Sequence, residues 1–402
     1  MNRIIKNIKK EYIFQFVRNT SLSEAIWVLF LAVRGMSLIE IGLLESIFHM
    51  TGMFMEIPTG FIADRYGRKV SRIIGRFLAF ISCLLMIGSQ SFWGFAVSFI
   101  LSALSFNLES GAGDALVYDS LAQCDKEDEY MKVRGRIEIC YQLAHMISLL
   151  VGGAVATISY YLAYGITALI HLFALGISLT FEEPQITVNQ KNISIFQHMG
   201  QSLKAVWNYR IILPYILHIE VFSLFYTTLH FYFQSFMKSE GYKEYQIGIF
   251  LAVTSLFGML TATVAYKAER RLGEKGVIIL TGLLPGLLFL MIAVTKAEPV
   301  ARILISALEG FMFVVFGDYI NKRIPSEHRA TLLSFQSMVF SVMMIVFFPI
   351  IGAISEHYSF KTAFGLIAAL SLITGAMTTA FLLKNIKKNA MLEDEVIKQE
   401  KI

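Results

Sequence analysis

Long uncharged runs organise this chain. Residues 139–181 carry no Asp, Glu, Lys or Arg over 43 positions, and the polar, aromatic patch from Ser159 to Gly165 divides that run in two. Runs 247–266, 276–295, 331–355 and 362–383 are uncharged over 20, 20, 25 and 22 residues. A helix of about 20 apolar residues crosses the ~30 Å hydrocarbon core of a bilayer, so each predicts one membrane span. Six further candidates, 12–33, 39–61, 70–90, 93–119, 211–236 and 299–320, tolerate a few charges and bring the expected total to twelve.

Composition agrees with this pattern. Of 402 residues, 55% are hydrophobic and 16% charged, against about 25% charged in soluble chains. Disorder and most soluble multidomain enzymes are excluded. A net charge of +5 would suggest nucleic acid if the basic residues clustered on one soluble face. They do not. Of the 35 Lys and Arg, 27 fall in seven alternate inter-span segments, 5 on the other side (Arg34, Lys238, Lys243, Lys296, Lys361) and 3 within spans (Arg18, Arg76, Arg302). By the positive-inside rule both termini are expected in the cytoplasm, in a multi-pass protein of the cell membrane. The basic segment Met1 to Lys10 precedes an apolar run, but Arg18 and Glu24 interrupt it and no small-residue cleavage site follows, so a retained first helix is expected. Cys83, Cys124 and Cys140 have neither disulfide nor zinc spacing. No nucleophile–base motif, phosphate-binding loop, ATPase motif or metal-ligand spacing is present, which argues against an enzyme and for no cofactor.

The longest polar segment, about 182–210, separates six spans from six. Within it Ile195, Phe196, Met199, Leu203 and Val206 recur at helical spacing, as in a helix lying at the membrane interface. The expected organisation is a bundle over 1–181, this central loop, a second bundle over 211–383 and a tail from Lys384. A half-chain repeat supports it: Gly60-Phe-Ile-Ala-Asp64-Arg65-Tyr66-Gly67-Arg68-Lys69 after span 2 parallels Ala265 to Lys275 after span 8, and Val117-Tyr118-Asp119 parallels Phe316-Gly317-Asp318. Two six-helix bundles related by an axis along the membrane normal are the architecture of a rocking transporter.

Gly60-x-x-x-Asp64-Arg65-x-Gly67-Arg68-Lys69 resembles the signature loop of the major facilitator superfamily, and the span count, repeat and central loop extend the resemblance over nearly the whole chain. It implies an all-α membrane protein of twelve transmembrane helices in two bundles. It also implies a cytoplasmic gate of Gly60, Asp64, Arg65, Gly67, Arg68 and Lys69, with Asp64 near the start of span 11 and Arg68 paired to Asp119. Glu56, beside Pro58 at the inner end of span 2, is expected to serve the same gate. Glu274 stands in the second half where Arg68 stands in the first, so a pair with Asp318 would repel unless Lys322 or Arg323 intervenes. The chain departs from the drug–proton antiporters: Asn107-x-x-Ser110-Gly111 lacks their arginine and Gln-Gly, and Leu150-Val-Gly152-Gly153-Ala-Val lacks their span 5 proline.

Ionisable groups inside spans are costly and are functional candidates by default. Glu24, Glu109, Asp114, Glu220 and Glu309 fall on spans 1, 4, 7 and 10, which in the family line the central cavity, whereas Glu45 is expected near the solvated outer surface. Asn107, Ser110, Gly111 and Asp114 share a helix face from which Glu109 is turned by about 140°. One of the two acids therefore serves the pathway and the other packs, protonated or paired with a neighbouring helix. His49, His145, His171 and His218 are proton-relay candidates, or neutral histidines bonded between helices. Tyr215, Phe222, Phe225, Tyr226 and Phe233 could form an aromatic wall for a lipophilic cation, or pack. The expected activity is proton-coupled export of small lipophilic or cationic compounds by a monomeric secondary antiporter; the alternative is an uptake symporter for a nutrient or metabolite. The partners expected are a small-molecule substrate, protons and the lipid bilayer, with no nucleic acid.

Overall fold

The computed structural model describes residues 4–184, 212–324 and 329–399. Its elements are helices: α1 Lys6–Asn19, α2 Trp27–Val33, α3 Leu38–Tyr66, α4 Arg68–Gly88, α5 Phe92–Ala122, α6 Tyr130–Ile158, α7 Tyr160–Leu179, α8 Leu213–Ser239, α9 Glu244–Val294, α10 Glu298–Lys322, α11 Arg329–His357 and α12 Phe360–Gln399. Nine helices among the described residues are long and apolar enough to cross a membrane. One of these, α9, holds two spans that meet at Gly273, where φ is 66°. With α8 and the broken first span, all twelve expected spans are present. The expected interfacial helix around 195–206 lies outside the described residues. α12 carries on through most of the expected tail, to Gln399.

The first span is not the continuous helix its hydropathy predicts. α1 ends at Asn19, residues 20–26 turn, and helix resumes at Trp27. The segment Asn19-Thr20-Ser21-Leu22-Ser23-Glu24 explains the break. Short polar side chains there compete with the helical ladder: Thr20 Oγ1 donates to Phe16 O at 2.8 Å, and the Ser21 and Ser23 hydroxyls bond each other at 3.0 Å. Backbone turns from Glu24 N to Ser21 O and from Ile26 N to Ser23 O satisfy part of the freed amide set. Non-helical backbone is tolerated at membrane depth where protein or a water-filled cavity, rather than lipid, surrounds it.

The described chain forms two compact units that do not follow the half-chain boundary. Unit 1 holds residues 4–184 together with 231–252 and 344–350; unit 2 holds 212–230, 253–324, 329–343 and 351–399. Specific contacts join the two late segments to unit 1. Tyr232 Oη lies 3.1 Å from both the Leu38 and the Phe348 carbonyl oxygens, and Ser46 Oγ donates to Ile345 O at 2.8 Å. Tyr160 Oη donates to Glu244 Oε1 at 2.6 Å, and Lys238 Nζ meets the same oxygen at 2.5 Å. Trp27 sets its ring edge-on to Phe231, with centroids 5.0 Å apart.

Between α3 and α4 the chain reverses in one residue. Gly67 has φ 99° and ψ 155°, a conformation essentially confined to glycine. A Cβ there would also come within 2.7 Å of the Glu183 carboxyl carbon. Gly67→Ala is therefore expected to destabilise unit 1 by about 1–3 kcal/mol, read as a lowered melting temperature of the detergent-solubilised protein; an unchanged melting curve would contradict this account of the turn.

Candidate functional site

The interior of unit 1 is built around one carboxylate. Glu109, fully buried on α5, accepts from Arg18 Nη1 and Arg76 Nε at 2.9 Å each and lies 3.4 Å from Arg72 Nε. Arg72 is in turn paired through both Nη atoms with Glu11, at 2.6 and 3.0 Å, and its guanidinium stacks on Phe14 and Phe181 at 4.1 and 4.7 Å. Three guanidiniums thus face two carboxylates in this cluster, while Glu24 and Glu45 stand elsewhere in the interior of the same unit. Gly75 permits this geometry. A Cβ there would meet the Glu109 Cγ and the Ser105 carbonyl at 3.2 Å, so a larger residue would push α4 from α5.

Beside this network lies a cavity of about 470 Å³, within the range of small-molecule sites. Arg18 and Arg76 form one part of its wall, with Ser82, Ser98, Ser102 and Ser105. Glu24, Trp27, Phe48, Phe99, Phe106 and Phe231 form another. Arg76 Nη2 donates to Ser105 Oγ at 3.1 Å, while Ser82 and Ser98 bond each other. Glu24 sits in the unwound stretch of span 1, and its carboxylate bonds no described side chain. Glu45 is a correction: it is buried and lines the cavity, with His49 Nε2 at 3.5 Å. α3 carries it past the solvated end because the span begins with a capping box at Ser37 and Glu40, two turns earlier. His145 and His171 also line the cavity, whereas His218 is buried elsewhere between Thr378 and Thr281 at 2.8 and 2.9 Å.

The two acids of α5 part company. Glu109 is the packed one, paired with neighbouring helices. Asp114 is half-exposed, with Arg134 Nε at 3.4 Å. Asn107, on the Asp114 face, donates to the Gly52 carbonyl at 2.7 Å and ties α5 to α3.

In the loop, Arg68 pairs with Asp64, and its Nε lies 3.8 Å from Asp119 Oδ2. Arg65 lies over the Phe61 and Tyr66 rings, and Glu56 and Gly60 are exposed. A residue that spacing did not reveal completes the loop: Glu183, just past α7, accepts the Arg68 and Lys69 backbone amides through its two oxygens at 2.7 Å each. It caps the start of α4, where the helix dipole favours an anion. Unit 2 carries a different set. Arg323 Nη2 takes Glu274 at 2.6 Å and Lys322 takes Asp318 at 2.6 Å, so both basic residues intervene and the expected repulsion does not arise.

Also in unit 2, Glu220 is buried and accepts from Gln336 Nε2 at 2.5 Å, and Glu309 is half-buried against Gly258. The aromatic set of span 7 does not form one wall. Tyr215 packs on Arg323 and Tyr319, Phe225 on Phe289, and Phe233, in unit 1, on Phe236 and Phe250; Phe222 and Tyr226 stack on each other. Steps of three, four and seven place these rings near one helix face, but they pack on different neighbours.

Comparison with known proteins fits this arrangement. The family model described as Major Facilitator Superfamily matches residues 13–298 and 271–396. The chain belongs to the major facilitator superfamily. An uncharacterized MFS-type transporter of Bacillus subtilis, YxaM, is 22% identical over 396 residues, covering 94% of this chain and 96% of the relative. Among solved structures, nucleoside transporter NupG superposes with a TM-score of 0.73 at 16% identity, covering 94% and 99% of the two chains. A D-xylose–proton symporter gives 0.71 at 13% identity, covering 93% and 96%. These likenesses establish the fold. A major facilitator protein is a secondary transporter of a small molecule in a membrane and not an enzyme, as the sequence led us to expect.

For this family member, sequence reading missed Glu11, Arg72 and Glu183. Arg72 and Arg76 stand four apart on one helix face around a glycine, which is the pattern of two cations converging on a close-packed neighbour. Glu109→Gln is expected to leave buried guanidiniums uncompensated and to cost about 3–5 kcal/mol, whereas Asp114→Asn, at a half-exposed pair, is expected to cost about 1 kcal/mol or less. Thermal unfolding of the two purified variants compares them directly.

Proposed function

We propose that this major facilitator protein is a proton-coupled exporter of small lipophilic or cationic compounds, with Glu24 as the acid that exchanges proton for substrate. The observation that carries the reading is the Glu24 carboxylate, unbonded among the described residues, in a helix break on the cavity wall and three residues from Trp27, whose ring meets Phe99 and Phe231. A carboxylate in an aromatic cage attracts cations, and its protonation releases them. Broken helices are where transporters of other families place substrate and coupling ions. Glu109 is unsuited to the same task, because three guanidiniums hold it as their shared counter-ion. Asp114, Glu220 and Glu309 are secondary pathway candidates, and Asn107 supports α5 from within.

In this reading both termini and the Asp64–Arg68–Asp119 cluster are cytoplasmic, where the 27 basic residues of one side gather. The cluster then acts as a gate whose ion pairs break as the transporter rocks, and the protein works as a monomer. A second reading, uptake of a small polar solute with protons, draws on the serine wall and the two guanidiniums of the same cavity. The nucleoside transporter and the D-xylose–proton symporter share the fold with this chain and favour neither direction for it.

Transport in membrane vesicles of defined orientation separates the readings. A fluorescent lipophilic cation is expected to accumulate in inside-out vesicles with an acid interior and not in right-side-out ones; the opposite polarity would establish uptake. Glu24→Gln is expected to abolish proton-driven flux at normal expression. Asp64→Asn and Arg68→Gln are expected to slow transport without loss of protein, and full activity in both would remove the gate assignment.

A further inference from the structure

Unit 2 contains a buried cation that forms no ion pair among the described residues. Arg302, in the first turns of α10, is fully buried, forms no ion pair with a described residue, and leaves Nε and Nη1 without any hydrogen-bond partner. Its one hydrogen bond runs from Nη2 to His230 Nδ1 at 2.7 Å. A guanidinium stays protonated in proteins and can only donate, so His230 is the neutral acceptor here and adds no negative charge. The other support is the Tyr226 ring, 4.8 Å below the guanidinium carbon, whose hydroxyl reaches Ser306 Oγ at 3.4 Å. The contrast with unit 1 is sharp, since every buried arginine there meets a carboxylate.

An intramembrane cation is retained when something pairs with it. Here two donors, Nε and Nη1, are unbonded, and no carboxylate among the described residues reaches them. Glu309 stands seven residues on, on the same face of α10 and about 10.5 Å further along the axis, near enough for its charge to feel Arg302 but without a hydrogen bond to it. Ser306, between them, lies on that face too. The strip therefore presents a cation at one end and a carboxylate at the other, with an aromatic ring and a hydroxyl alongside.

We propose that Arg302, with His230 and Tyr226, is a binding site for the carboxylate of an organic monoanion, so that the transported compound carries an acidic group. One positive charge matches one negative charge. A dianion such as phosphate would leave net negative charge on the face that already bears Glu309, and the Tyr226 ring, stacked on Phe222, offers an apolar surface for the organic part. A compound with a basic group as well would span the strip, its cation toward Glu309. The inference rests on the protein being a transporter of small organic compounds and is independent of Glu24 as the coupling acid.

The test is thermal melting of the purified full-length protein with sodium benzoate, sodium phosphate, sodium chloride or choline chloride at matched ionic strength. Benzoate is expected to raise the melting midpoint saturably, with phosphate and the two chloride salts leaving it near its starting value. Arg302→Gln is expected to weaken the benzoate response about tenfold or more, the loss of a charge-assisted contact; Arg302→Lys, which keeps the charge and protects against misfolding, is expected to retain part of it. Glu309→Gln is expected to keep or strengthen the response by removing a like charge. No benzoate response in the wild-type protein, an equal response in Arg302→Gln, or the same response to chloride alone would each overturn the proposal. So would loss of the response in Glu309→Gln, which would make Glu309 the true partner of Arg302. Because melting in detergent requires no proton gradient, failure here and failure of proton coupling at Glu24 are read separately.

Discussion

The requirement that shapes unit 1 is neutralisation of charge inside a membrane. Three arginines from two helices, Arg18, Arg72 and Arg76, converge on the carboxylates of Glu109 and Glu11. Breaking such a set is costly because a bare ion is left in a low-dielectric interior. The set therefore fixes α1 against α4 and α5 more firmly than apolar packing could, since apolar side chains find lipid almost as agreeable as protein. The position of the cavity wall follows, for Arg18 and Arg76 are held at its edge by the same carboxylate.

On that fixed frame, span 1 can be interrupted. Hydroxyl side chains and local turns satisfy residues 20–26, and the adjoining cavity gives the remaining polar groups somewhere to point. The break brings Glu24 to the wall without a partner among the described residues, while α2 restarts with Trp27. Rigidity from charge and openness from a local loss of helix thus lie next to each other, which suits a site that must hold its shape and still bind and release.

Much of the architecture was legible in the sequence: the twelve spans followed from hydropathy, and the Arg68–Asp119 proximity from the resemblance that the signature loop carries. What was not legible depended on partners far apart in the chain. Glu11 meets Arg72 across 61 positions and Glu109 meets Arg18 across 91; spacing along one sequence carries no record of either. Glu45 was misplaced because depth was counted from the end of a run rather than from the Ser37 cap. The helix break was written in Asn19-Thr20-Ser21-Leu22-Ser23-Glu24, but an average over a twenty-residue window hides a seven-residue departure. The aromatic stripe of span 7 illustrates the reverse error, a periodicity that helix packing generates without a shared purpose.

Glu183 divides the labour within the signature loop. Its two oxygens are taken by peptide N–H groups of residues 68 and 69, which every amino acid except proline supplies, whatever side chain stands there. The bend is consequently held by Gly67 and by the Glu183 carboxylate on main-chain donors, without the side chains of residues 68 and 69. The shape of the loop therefore does not depend on the Asp64–Arg68 ion pair, and a change in either side chain leaves the two main-chain hydrogen bonds to Glu183 in place.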